Sequence, residues 1–261
     1  MKRRYIPKTE YEKDFLTEFQ KLSDTRPSWR VWQDFVTMAA CMISNRVDWR
    51  FREEREKEYL NCAGEYSREE LTSIAKLLAT TTVALQDNPD QDFLGDLYMN
   101  LGMNDHWKGQ YFTPWDMGVA MAAMVMREPD QEKLEETGYL SICDPTCGSG
   151  CLLIAARWVC EESQKMENPK EHLFFVGQDL DRVVALMCYL QLSILGYAGY
   201  VIVGDSLAKP ITGKGLIIIQ TEGTEHWLTP AFFTEPWVSR MEREIAQLRE
   251  KEGQYGKQEA V

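Results

Sequence analysis

The chain has 261 residues, 44% of them hydrophobic, enough for one large domain or a domain with a helical cap. Its formal charge is −12, and its basic residues are dispersed apart from Lys2-Arg3-Arg4, which argues against tight, autonomous DNA binding through a basic face. No apolar run reaches the ~18 residues of a membrane span, and Met1 to Tyr5 lack the apolar stretch of a signal peptide, so a cytoplasmic protein without membrane contact is expected.

Helical spacing of Tyr11, Phe15, Phe19 and Leu22 predicts a helix over residues 9–24. Pro27-Ser28 breaks it, and Trp32, Phe35, Val36, Ala39, Ala40 and Ile43 predict a buried helix within Trp29 to Val47. Arg50 to Lys57 is a dense mixed-charge run, read as a solvated helix face. Ser67-Arg68-Glu69-Glu70 fits a capping box, followed by Leu71, Ile74, Leu77 and Leu78 on one face. Gln86 to Asp90 is a polar break, and Asp92 to Leu101 forms an amphipathic helix stopped by Gly102. This front end is all-helical and holds no chemical motif; its Trp and Met residues read as core.

Gly109-Gln110-Tyr111-Phe112-Thr113-Pro114 then forms a loop before a helix from Trp115 to Met126, with Pro114 suited to the first helical position. Two aromatics and a hydroxyl at that point could clamp a ligand, or simply form an apolar loop capped by Thr113. Tyr139 to Cys143 reads as a buried strand, Asp144-Pro145-Thr146-Cys147-Gly148-Ser149-Gly150 as a tight turn, and Cys151 to Val159 as a helix. A strand, a glycine turn and a helix open a nucleotide-binding α/β sheet, because glycines admit close backbone approach and the helix start offers unpaired N–H groups. After a polar connection, Glu161 to Glu171, a second strand from Leu173 to Gln178 ends at Asp179-Leu180-Asp181. An acidic residue there suits a ribose diol, although the spacing from Gly150 exceeds the ~20 residues of a compact dinucleotide fold. A helix from Arg182 to Leu195 is closed by Gly196; a third strand, Ala198 to Val203, ends at Gly204-Asp205-Ser206-Leu207. Three successive strands thus end in carboxylates, although each carboxylate alone could serve as a helix cap. Lys214 to Ile219 is expected as a fourth strand.

The seven cysteines are odd in number and sit mostly in apolar segments, so reduced core thiols are expected. Cys143, Cys147 and Cys151 recur every four residues, but no histidine lies near them in sequence and no metal site is expected.

Together the motifs at 109–114, 144–150, 176–181 and 204–207 resemble the adenine-specific DNA methyltransferases similar to the modification subunit of type I restriction systems. The resemblance covers about residues 90 to 208, and the motifs come in the family's order and approximate spacing. It implies a Rossmann-like, S-adenosylmethionine-dependent methyltransferase fold of the α/β class, incomplete at its C-terminal side and preceded by an all-helical region. The implied divisions are a helical region over 1–104, the cofactor-binding domain over 105–228, and a C-terminal helix and charged tail over 229–261. It also implies an S-adenosylmethionine pocket: Tyr111, Phe112 and Thr113 against the methionine part; Asp144, Thr146 and the backbone of Gly148 and Gly150 at the amino-acid end; Asp179 on the ribose; Leu180 on the adenine; and Asp205 on the adenine amino group.

One family motif is missing. Asn/Asp-Pro-Pro-Tyr/Phe, which grips the flipped adenine and aligns its nitrogen for attack on the methyl group, occurs nowhere in the sequence. Gln220-Thr221-Glu222-Gly223 stands where it is expected, the remainder is short for the family's later strands and target-recognition region, and Glu235-Pro236-Trp237 is a poor substitute. The catalytic residues therefore stay unassigned. The expected function is an S-adenosylmethionine-binding protein of the adenine methyltransferase family, weak or inactive alone. One alternative is an active adenine-specific DNA methyltransferase with a diverged site, or one completed by a partner chain that supplies the catalytic motif or target recognition. The other is a non-enzymatic regulatory module.

Overall fold

The computed structural model describes residues 6–103, 111–126 and 131–258. The front end is helical, as expected. Helix α1 (Glu10–Ser23) is capped by Thr9, whose hydroxyl accepts from the Glu12 amide. It is followed by α2 (Ser28–Ser44), a 3₁₀ turn (Trp49–Phe51), α3 (Arg52–Ala63), α4 (Arg68–Asp87) and α5 (Phe93–Asn100). The capping box is present: Ser67 accepts from the Glu70 amide, and the Glu70 carboxylate accepts from the Ser67 amide. Phe15, Phe19, Trp32 and Phe35 interlock at centroid separations of 5.6–6.2 Å, while Trp29 and Trp49 are exposed, so not every aromatic of this region is core.

Helices α6 (Trp115–Val125) and α7 (Gln131–Thr137) lead into the sheet. Pro114 sits one place earlier than expected, at the cap of α6 rather than inside it. Strand β1 (Leu140–Asp144) is followed by α8 (Cys151–Trp158), which passes into a π-helical turn (Val159–Ser163) and the short α9 (Pro169–His172). Strand β2 (Leu173–Asp179), α10 (Arg182–Leu195) and β3 (Ala198–Val203) complete a βαβαβ unit. Gly196 ends α10 in the left-handed region at φ 78°, where a side chain would be strained. Strands β1, β2 and β3 are parallel and in that spatial order, with Asp144 opposite Gly177 and Asp179 opposite Val203.

The fourth strand departs from expectation. Residues 213–218 form a small separate hairpin, β4 (Gly213–Lys214) and β5 (Ile217–Ile218). The strand that joins the sheet is β6 (Glu225–Leu228), antiparallel to β3. The apolar run 216–219 carried a strand signal, but periodicity cannot say which sheet a strand enters. A 3₁₀ turn (Pro230–Phe233) and α11 (Trp237–Gln258) follow.

One face of the sheet shares a continuous core with the helical region: Phe15, Trp32, Leu77 and Leu94 belong to the same cluster as Phe175, Leu190, Val201 and Trp227. The other face packs Phe174, Tyr200 and Leu228 against Phe232 and Trp237. The charged run at 50–57 is not simply solvated, because Arg55 is buried at the junction. It donates to Ser44, Asp48 and the His226 carbonyl, and its guanidinium lies 3.9 Å from the Trp227 ring centre.

Candidate functional site

The three parallel strands deliver Asp144, Asp179 and Asp205 to one end of the sheet. The turn after β1 wraps against the end of β2: the Cys147 amide donates to the Gln178 carbonyl (2.9 Å), and the Gly148 amide donates to Asp179 Oδ2 (3.0 Å). Gly148 at φ 56° and Gly150 at φ 101° occupy backbone that L side chains rarely adopt, which explains both glycines. The Asp179 carboxylate is held from both sides, since Oδ1 accepts from the Asp181 amide (2.9 Å). Each oxygen keeps a lone pair for a further donor. Asp181 itself caps α10, accepting from the Val183 and Val184 amides.

Asp144 is placed differently. Its Oδ1 accepts from the Thr146 amide (3.0 Å), while Oδ2 is buried with no hydrogen-bond partner. A buried carboxylate oxygen without a donor is costly, and a ligand amine or hydroxyl would satisfy it. Burial, reinforced by the Asp179 charge, raises the Asp144 carboxyl above its ordinary value. Burial likewise raises Asp179, against the opposing pull of its backbone donors. Asp205 is exposed and lowered by the Ala208 and Leu207 amides that its Oδ1 accepts from, so it caps its own turn.

Phe112 lies near the glycine turn: a Cβ added at Gly148 would lie 3.8 Å from its ring, which also stacks on Tyr98 at 5.4 Å. Thr113 is half-buried beside it in sequence, and Tyr111 is exposed. Leu180 is 71% exposed, an apolar surface at the end of β2. Gly109 and Gln110 lie outside the described residues.

Sequence reading missed the support beneath the turn. Asp92 is buried and accepts from Ser149 Oγ, from Gln191 Nε2 (2.7 Å) and from the Gly95 amide (2.9 Å). Gln191 also donates to the Ser149 carbonyl (2.8 Å), so α5, the glycine turn and α10 are tied at one point. Burial pushes the Asp92 carboxyl up. The available signal was Asp92 at the cap of α5 and Gln191 in the mostly apolar α10. Gln178, buried on β2, donates to the Gly204 and Lys209 carbonyls and braces the exit of β3.

The three evenly spaced cysteines face different surroundings. Cys143 is exposed on β1, Cys147 is packed under Gly177 next to Cys188, and Cys151 lies against Gly118. Among the described residues no cluster of metal-ligating side chains occurs. Trp237 is buried among Tyr139 and Phe174, with its indole donating to the Lys170 carbonyl, so its ring serves the core. A large cavity of 660 Å³ lies at the opposite end of the sheet, near the starts of β2 and β3. Its Arg157 pairs with Asp90 and Glu161.

The unpartnered Asp144 oxygen, the open glycine turn and the exposed Leu180 fit a ligand with an amine, hydroxyls and an aromatic face, as S-adenosylmethionine has. A crystal structure from Listeria monocytogenes, assigned as a class I S-adenosylmethionine-dependent methyltransferase, aligns with 77% of this chain at 14% identity and a TM-score of 0.39. The chain spans 55% of that protein's length. No curated protein sequence matches the chain. The family profile described as N-6 DNA methylase matches residues 89–250, which include the glycine turn and all three strand-end carboxylates. The chain therefore belongs to the N-6 DNA methylase family, whose methyl donor is S-adenosylmethionine.

Proposed function

We propose that the chain binds S-adenosylmethionine at the carboxyl ends of β1, β2 and β3 and transfers methyl groups weakly or not at all by itself. The observation that carries the reading is Asp144 Oδ2, buried and without a donor beside the glycine turn. Asp144 would accept from the cofactor's ammonium group, with Thr146 and the backbone of Gly148 and Gly150 lining that end. Asp179, held by two backbone amides, would accept from the ribose hydroxyls, with no reorganisation needed on binding. Leu180 would pack on the adenine, and Asp205 would accept from its amino group. Phe112, stacked on Tyr98 and close to the turn, would bound the methionine part with Tyr111 and Thr113.

When bound, the cofactor supplies an electrophilic methyl group on a sulfonium. What the chain lacks is a grip on the acceptor. No Asn/Asp-Pro-Pro-Tyr/Phe occurs in the sequence. After β3 the chain makes the Asp205 turn and enters the β4–β5 hairpin instead. Methyl transfer depends on orienting the acceptor nitrogen in line, so without that grip most of the rate is lost. In this reading residues 105–228 hold the methyl donor, 1–104 brace them, and a partner polypeptide supplies the acceptor grip and DNA recognition.

Calorimetric titration with S-adenosylmethionine tests the pocket. Binding weakened at least tenfold by Asp179→Ala is expected, and no binding at millimolar cofactor would overturn the reading. Labelled methyl transfer to adenine-containing DNA tests the second half; robust turnover by the purified chain would show that the acceptor grip is present after all.

A further inference from the structure

Strand β1 is unfinished on two sides. Among the described residues it pairs with β2 alone, so its other edge presents unpaired backbone groups. Parallel sheets are normally covered on both faces, yet Ser141 and Cys143, which alternate onto one face of β1, are exposed. They lie level with Phe174 and Val176 of β2, which are buried. The cover that protects β2 thus stops short of β1. Beside β1 runs a groove of 420 Å³, walled by Thr137, Tyr139 and Ser141 on one side and by Ile217, Glu244 and Leu248 on the other. Its walls are part apolar and part strand edge, which suits an extended peptide. Helix α6, whose Trp115 and Val119 share an apolar cluster with Ile142 of β1, turns Met117, Met121, Met124 and Val125 outward to solvent.

An open edge of this kind is a template for another strand, and natural proteins usually blunt it with lysines, prolines or a covering element. None of the residues from Leu140 to Asp144 is of that kind. We propose that the free edge of β1 is the docking site for a β-strand from a second, basic polypeptide, which extends the sheet and ends beside Asp144. Charge selects this occupant. The α7 wall carries exposed Glu132, Glu135 and Glu136 against a single lysine, Lys133, and the whole chain stands at −12. A second copy would bring the same acidic wall against this one, whereas a basic partner complements it and carries the positive surface that DNA requires. A strand added parallel to β1 delivers whatever follows it to the end of the sheet that holds the carboxylates. The inference rests on the proposed function for the partner's role, but its geometry stands on β1 alone.

The test uses the full chain and, as probe, the segment of an intact N-6 DNA methylase that contains its Asn-Pro-Pro-Tyr strand and all that follows. A one-to-one complex is expected by light scattering, with alkylation of Cys143 slowed at least tenfold. Ser141→Trp, which fills the groove at an exposed position, should abolish the complex, and Glu136→Lys should weaken it severalfold, most at low salt. Both variants should bind S-adenosylmethionine as the wild type does, which separates failed docking from a failed cofactor site. The proposal is overturned if no complex forms, if Cys143 stays reactive within it, if Ser141→Trp leaves it intact, or if the chain alone self-associates with Cys143 protected.

Discussion

The two edges of the sheet are finished in opposite ways. At the β6 edge the helical region closes over the strand with charged side chains, of which Arg55 is buried. Arg55 donates to the β6 backbone at His226 and stacks on Trp227, and Arg182 bridges Glu58 of α3 and Glu225 of β6 at 2.8 and 2.9 Å. At the β1 edge no element caps the strand among the described residues, and the side chains on one face meet solvent. The lesson is that the helical front end is not a separate appendage. It is the closure of one sheet edge and the floor of the glycine turn, while among the described residues β1 has no strand on its other side.

The largest effect should come from breaking the closed edge. Arg55→Ala removes the buried donor to His226 and leaves Asp48, itself buried, with Arg50 alone. Loss of a buried paired cation costs about 3–5 kcal/mol, so chemical denaturation should show a midpoint lowered by that equivalent at unchanged slope. Next is Asp92→Ala, which strands the Ser149 hydroxyl, the Gln191 amide and the Gly95 N–H. A cost of about 2–4 kcal/mol is expected, together with weaker cofactor binding because the turn loses its floor.

The carboxylate end should respond to pH. Burial raises Asp144 and Asp179, and in the proposed site their ionised forms would accept the cofactor's donors. Cofactor affinity should be full above the raised values and fall as pH drops through them, at a higher pH than for an ordinary aspartate. The sign for the empty fold is opposite. Protonation favours the folded state of a group so raised, so these two contribute most below the unfolded value, and that contribution is lost as pH rises through the folded one. Titration of affinity and of stability against pH separates the two trends. A cofactor affinity flat throughout the acid range would remove both carboxylates from the site. The smallest effect belongs to the open edge. Cys143→Ser should change the stability of the isolated chain by less than about 0.5 kcal/mol, because its side chain is exposed on β1.

Much of the βαβαβ unit was legible because its signals are local. Gly196 stops α10 at the expected residue, and Ala198–Val203 is the expected strand. Gly148, Gly150, Asp144 and Asp179 stand where the motifs put them, since strand ends and left-handed turns demand particular residue types. Asp205 was legible as a strand-end carboxylate but not as the cap of its own turn. The sheet's fourth member was misread because Ile217-Ile218 and His226-Trp227 both look like strand, and only packing chooses between them.

By itself, then, the sequence determined the helical front, the strand–turn–helix order, the three strand-end carboxylates and the absence of an acceptor motif. These follow from short-range chemistry: caps, periodicity and the backbone freedom of glycine. Tertiary structure alone decided that β6 rather than 214–219 joins the sheet, that Arg55 of a charged run is buried, that Asp92 and Gln191 support the turn, and that β1 pairs with β2 alone among the described residues. Each of these depends on partners distant in sequence, and no local pattern encodes which distant group a buried polar atom or a strand edge will meet.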